Sequence, residues 1–422
     1  MEFVFYLAFG ICFFLTFKKP YFGVISLFGF SLTEKMTEGL IPFGNDILPI
    51  IGLVTGVSYI LNVLVSENKN GSSLDDIQRI LIFYIIYLSV TSFSTFFFDE
   101  TRNWFITYFQ SFILVFLTSQ TISKLGDLKT VMIGMIIFGG LGLTVFVLTN
   151  LNSLFETQIE NSNTYARLYL ILAVFSYNLS KLNFKYKSIN YLFMVVLFYF
   201  IFGLIFTGSR TAILLLAFVI SYYAIYDYKM NPLKLMFVFL PFVLLINLLP
   251  DELIGKLLSS FDDSTYAGGA GDTELNSIGN NMRFILWDAS FKMLNDHGWI
   301  FGIGVGNFKH YFSSYLPFIG FPLSHPHNSY ISVLVESGII GLAIFINLII
   351  KSLKKMLVFV NEIENENKRL FQAWFFSFVI FLIGGLTKHD HYDKLFFLFL
   401  GISSAIFKMY SNEKNSVFNR GT

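Results

Sequence analysis

Apolar runs long enough, or nearly long enough, to cross a bilayer recur along the whole chain, separated by short polar connections. Their spacing predicts helices at about 2–17, 20–34, 46–65, 78–97, 103–122, 129–149, 165–181, 189–206, 210–227, 232–250, 327–350, 369–388 and 393–410. That makes thirteen crossings, with twelve and fourteen still open; the first two are short and read as a hairpin broken at Lys18, Lys19 and Pro20. One long polar interval interrupts the series. It divides the chain into an N-terminal transmembrane bundle (1–250), a large outer loop (251–326), and C-terminal transmembrane helices with a cytoplasmic tail (327–422). No internal repeat of fixed period is visible, which weakens the inverted-repeat signature of many transporters.

Composition agrees with the pattern. A chain of 422 residues that is 55% hydrophobic and 14% charged, with a mean hydropathy of +0.64, holds more apolar surface than a soluble core can hide. The expected fold class is therefore an all-α, polytopic membrane protein of about twelve to fourteen transmembrane helices, with amphipathic helices in its large outer loop. A net charge of +1 leaves no nucleic-acid footprint, and Cys12, the one cysteine, lies in an apolar run that offers neither a disulfide nor a metal site. The first segment has no basic leader region and no small-residue cleavage site, so it is expected to stay as a helix.

Lysines and arginines set the orientation. Alternate connections carry Lys18 and Lys19; Lys124 and Lys129; Lys181, Lys185 and Lys187; Lys229 and Lys234; then Lys351, Lys354, Lys355, Lys368 and Arg369, and these are expected to be cytoplasmic. The others are acidic or sparse, with Glu34, Glu38 and Asp46, then Asp99 and Glu100, then Glu156 and Glu160, then the aspartate-rich interval 251–326. In the connection 66–78 acids outnumber Lys69, but parity places it inside.

Within the outer interval, 281–295 reads as an amphipathic helix with Asn280 as N-cap and a narrow polar strip of Asp288, Lys292 and Asn295. Arg283 projects beside Trp287, Ser290 and Leu294 on the apolar side. A guanidinium so placed needs an anion, for which its fork suits phosphate oxygens, or else it snorkels or forms a local ion pair. The patch AGGAGDT at 267–273 reads as a flexible bend. In FTGSRTAILLLA, Thr207, Gly208 and Ser209 break an apolar run and leave Arg210 in the first turn of the next helix. Freed N–H groups there would add to its pull on an anion, the bland reading being an interfacial anchor.

The stretch 324–341 concentrates the remaining candidates. Pro326 biases His325 toward an extended backbone, and a helix is expected to begin near His327 or Asn328. His327 would project at the outer mouth, where an imidazole of pKa about 6.5 can take a proton at neutral pH. Asn328, Ser332 and Glu336 recur every four residues and share one face. Glu336 would lie roughly 13 Å below His327 at about 1.5 Å per residue, where a carboxylate needs a partner. Gly338 and Gly341 read as close-packing positions. A lone interfacial histidine is usually structural. Two histidines and an asparagine beside two stranded arginines reverse that preference. GIGVGNF at 302–308 has the wrong spacing for a dinucleotide site and reads as a turn. KHDHYD at 388–393 could hold a metal through His389, His391 and Asp393, but a polar interhelical loop is the favoured reading. Arg102 and Arg167 are further outer-side candidates for a phosphate, with interfacial anchoring the safer account.

The ordered set of FTGSRTAILLLA at 206–217, RFILWDASFKMLNDHGWIFGIGVGNF at 283–308 and HPHNSYISVLVESGIIG at 325–341 resembles the O-antigen polymerase and O-antigen ligase superfamily, over about residues 200–350. The resemblance implies a bacterial inner-membrane glycosyltransferase of the multispanning GT-C type, its site facing the periplasm and its donor a glycan on undecaprenyl pyrophosphate. It implies no cofactor and no required metal. The family's catalytic histidine corresponds to His327, with His325 as the alternative, and its two pyrophosphate-binding arginines correspond to Arg210 and Arg283. Polymerase is the favoured member, since a composition poor in alanine and rich in aromatic residues, lysine and asparagine accompanies polymerase-encoding clusters; a ligase acting on lipid A core is the alternative. Family analogy adds membrane lipids and a chain-length regulator protein as partners. The competing class is a non-enzymatic flippase or transporter of lipid-linked sugars, which would explain the helix count and Glu336 but not histidines confined to one face.

Overall fold

The computed structural model describes residues 2–37, 47–65, 74–92, 95, 97–150, 162–207, 209–230, 282–317, 325–362 and 367–418. Among the described residues there are fourteen helices and no strand. Nine precede the loop region 251–326: α1 (Glu2–Lys18), α2 (Tyr21–Thr37), α3 (Ile47–Val65), α4 (Asp76–Ser92), α5 (Phe98–Thr121), α6 (Leu125–Asn150), α7 (Ser162–Ser180), α8 (Lys187–Phe206) and α9 (Arg210–Tyr228). Two lie in the loop, α10 (Met282–His297) and α11 (Phe308–Tyr315), and three follow it, α12 (Ser329–Glu362), α13 (Asn367–Gly384) and α14 (Lys394–Phe418). Twelve of the thirteen expected crossings are thus helices. The remaining one, 232–250, lies outside the described residues, as do Asn280 and the patch at 267–273.

Four helical stretches combine the length and apolarity of a crossing on their own: Leu125–Leu148, Lys187–Phe206, Thr211–Tyr228 and Ser329–Val358. Helix α8 leaves Tyr191, Leu192, Val195 and Phe198 exposed, as a lipid-facing stripe does. The less apolar α7 is buried throughout 166–176 and carries Arg167, Ser176 and Asn178 inside. A helix surrounded by protein can carry polar groups that its neighbours satisfy, which is why its hydropathy understates its depth. It packs against α8 and α13, while α14 packs against α5 and α12. Phe175 with Trp374, and Phe378 with Phe399, fill the centre at ring separations of 4.7 and 5.1 Å.

The two classes of connection segregate to opposite ends. At the lysine-rich end Lys355 meets Asp75 at 3.3 Å, and Arg369 meets both oxygens of Asp227 at 2.7 and 3.0 Å. Asp75 belongs to the acid-rich connection 66–78 and serves as a counter-charge on the basic side. At the other end the starts of α5, α7, α9 and α12 gather with the α13–α14 connection.

Helix α12 is not continuous. At Gly338 the backbone turns to φ 68° and ψ −174°, conformations essentially confined to glycine. The groups so freed are taken by the segment that follows α10. Ile303 N donates to Val335 O at 2.9 Å, Gly304 N to Glu336 O at 2.9 Å, and Ile339 N to Trp299 O at 2.8 Å. Tyr87 OH from α4 donates to Ser337 O at 2.7 Å. The expected close-packing role of Gly338 is therefore corrected: it makes a break, and the Ile300 carbonyl sits where a side chain would grow. GIGVGNF is a turn, as expected, and it is also the partner of that break. Gly302 faces the Val335 carbonyl just as closely.

Beside the break, Leu286, Met293 and Leu294 of α10, Phe308 and Phe312 of α11, and Val335 of α12 form a second, smaller core. Helix α11 was not anticipated. Its eight residues expose only one apolar repeat, Phe308 and Phe312, too short a pattern to stand out beside the long runs. Gly338→Ala is expected to destabilise the fold by about 1–3 kcal/mol from backbone conformation alone. Thermal unfolding in detergent would read this as a lowered midpoint, whereas Gly52→Ala, whose new methyl group meets nothing within 4 Å, should leave the midpoint in place.

Candidate functional site

Asn328 caps α12. Its Oδ1 accepts from Tyr330 N at 2.9 Å and Ile331 N at 3.1 Å, and its Nδ2 donates to Leu386 O at 3.1 Å. The helix therefore starts at Ser329, just beyond the expected His327 or Asn328, and the buried Asn328 amide serves as its cap. His327 lies just before the cap at φ 54°, a left-handed conformation that few non-glycine residues adopt. Its imidazole is half-buried. Trp287 Nε1 donates to Pro326 O at 3.0 Å and ties α10 to this lead-in.

The α13–α14 connection is sewn to the same point. Ser329 N donates to Gly385 O at 2.8 Å, Ser329 Oγ to Lys388 O at 2.8 Å, and Asp390 N to Ser329 Oγ at 2.7 Å. Asp390 is buried against Arg167 of α7 at 2.5 Å, and Lys388 contacts both Asp390, at 3.6 Å, and Thr164. Arg167 is thus corrected from a candidate phosphate ligand or interfacial anchor to a buried counter-ion, 4% exposed and stacked on Phe381 at 4.5 Å.

This knot delivers His389 to the histidines of the lead-in. The His325 and His327 ring centroids are 5.1 Å apart, those of His327 and His389 5.9 Å, and one ring nitrogen of each of the three lies within 4.8 Å of the others. The set expected from KHDHYD divides. His391 turns inward toward Glu336, with Nε2 3.6 Å from Oε2. Asp393 accepts from Leu395 N at 2.8 Å and caps α14. Nothing in the sequence spacing pairs His389 with residues more than sixty positions earlier; the density of histidine and aspartate at 388–393 was the only signal.

Arg283 lies exposed in the first turn of α10, where an apolar-side projection placed it against the protein body. The second core buries Leu286, Ser290 and Leu294 instead, and leaves the guanidinium in the open, close enough for its charge to act on His327. Arg210 is the first residue of α9. Ser209 caps that helix, accepting from Ala212 N at 3.3 Å and donating to Asn163 at 2.6 Å. A small cleft lined by Asn163, Thr211, Thr387 and Lys388 joins the start of α9 to the α13–α14 connection. Arg102 is exposed and pairs with Asp99 at 3.6 Å.

Burial holds the His327 imidazole below its ordinary pKa, and the charges of Arg283 and Lys388 push the same way. Burial, then His327, His391 and Lys388, take His325 down to about 3. His389 is lowered too, by burial and then by His325. All three rings are therefore neutral at pH 7. Burial pushes the Asp390 carboxyl up, but Arg167 and Lys388 more than offset it, so it stays ionised. Arg167→Met is expected to strand that charge and destabilise the protein by about 3–5 kcal/mol, whereas Arg167→Met combined with Asp390→Leu should recover most of the loss in thermal unfolding.

No curated protein matches the chain. A family model described as O-Antigen ligase matches residues 195–346, from within α8 to within α12, a span that holds Arg210, Arg283, His325, His327 and Glu336. Over that span this polytopic membrane protein is similar to the O-antigen ligase and polymerase-like superfamily, whose members are glycosyltransferase-like enzymes.

Proposed function

We propose that the protein is an O-antigen or capsular polysaccharide polymerase of the bacterial inner membrane. It transfers a growing glycan from undecaprenyl pyrophosphate to the non-reducing end of the next lipid-linked repeat unit at the periplasmic face. The observation that carries this reading is the meeting of His327 with the Arg283 charge, from two separate elements, at the end of the bundle where the histidines gather. His327 takes the proton of an acceptor sugar hydroxyl as its oxygen attacks the anomeric carbon of the donor. The bond from that carbon to the pyrophosphate oxygen breaks, and Arg283 and Arg210 meet the charge left on the phosphates. A phosphate leaving group of this kind needs no strong general acid. The ligase reading, transfer of glycan to lipid A core, is favoured by the description of the matching family itself.

The purified, reconstituted protein given its undecaprenyl-pyrophosphate-linked repeat unit alone should yield a ladder spaced by one repeat, absent with His327→Ala. No ladder, followed by one transfer once lipid A core is added, would make it a ligase. Silence in both assays, with translocation retained in His327→Ala, would make it a transporter.

A base must be deprotonated to act, so the rate should fall as pH drops through the His327 pKa, which lies below the usual 6.5. Arg283→Ala removes a cation that opposes protonation and should move this acid limb to higher pH. Arg283→Lys keeps the charge, so the limb should stay while turnover falls, because a point charge cannot replace a bidentate contact.

A further inference from the structure

The proposed reaction uses one imidazole, yet the fold brings three together. His325 and His327 flank Pro326, which stiffens their spacing, and His389 arrives from a connection sewn to the lead-in through Ser329 and Asn328. Three ring nitrogens lie within 4.8 Å of one another, against the roughly 3.3 Å separation that tetrahedral ligation at about 2.0–2.1 Å requires. The buried Nδ1 of His389 has no hydrogen-bond partner among the described residues. No carboxylate belongs to the set, and three neutral imidazoles suit borderline metals such as zinc, copper or nickel, not magnesium or calcium.

We infer that His325, His327 and His389 form a binding site for a divalent transition metal, zinc in the first place, and that its occupancy turns the enzyme off. The inhibitory half rests on the proposed role of His327, since a metal takes the lone pair with which that imidazole would accept a proton. The binding half rests on geometry alone. Arg283 and Lys388 face the cluster and weaken its hold on a cation, while Asp390 partly offsets them, being ion-paired with Lys388 at 3.6 Å. That balance suits reversible, moderate affinity and not a permanent structural metal.

The full-length protein in lipid nanodiscs, dialysed against zinc ions alone, should retain one equivalent that a chelator removes. Cobalt in its place should give the visible bands of a four-coordinate site. His389→Ala should weaken binding by at least about tenfold, the loss that even an outer-shell partner of a ligand can produce. His297→Ala and His310→Ala should leave it unchanged. In the wild-type protein, where folding is not in question, zinc should protect the three clustered histidines from carbethoxylation by diethyl pyrocarbonate, read by mass spectrometry. No retained zinc, or equal retention in His389→Ala, would overturn the site and leave His327 free to be the base. Zinc retained with an unchanged rate of glycan transfer would overturn the inhibition and the base assignment together, while the metal site stood.

Discussion

An ionised side chain removed from water must carry its counter-charge with it, and the pair of Arg167 and Asp390 shows how much follows from that rule here. Arg167 comes from α7, the helix most enclosed by protein, and Asp390 from the short connection between α13 and α14. Their contact fixes a loop that would otherwise have several places to lie. Once Asp390 is held, its neighbours on either side are committed to opposite directions, His389 toward the lead-in to α12 and His391 toward Glu336. One ion pair therefore organises two further sets of polar contacts.

The same economy of polar groups governs the backbone. Interrupting a helix at Gly338 frees carbonyl and amide groups that a bilayer cannot satisfy, and the segment 299–304 meets them with hydrogen bonds of its own. Irregular chain is tolerated at this depth only because protein covers it. The small core beneath α10 and α11, which includes Val335, keeps that cover in place and sets Arg283 over the lead-in that bears His327.

Much of this was legible in the sequence, and what was not has a common cause. Twelve of the expected helices could be read because each carries a long apolar run, a local property of the chain. The polar strip of α10 was visible for the same reason, and Asp288 and Lys292 do pair on its outer face at 2.6 Å. His327, Arg283 and Arg210 drew notice because each is an ionisable group where hydrocarbon is near. Contacts between distant segments left no such trace. Nothing local distinguishes Arg167 as a buried counter-ion from Arg102, which stays exposed, or tells Asn328 the helix cap from Asn328 the ligand. Those outcomes depend on which loop arrives opposite, and periodicity does not carry that information.

The break at Gly338 also changes what counts as one mechanical part. The stub 329–337 is continuous in sequence with the membrane-crossing remainder of α12, but its backbone is tied to the turn after α10. Its other end is tied to the α13–α14 connection through Asn328 and Ser329, so the stub has partners of its own at both ends. The candidate site thus sits on a short stub of its own, seated between the turn after α10 and the connection that Arg167 anchors to the bundle.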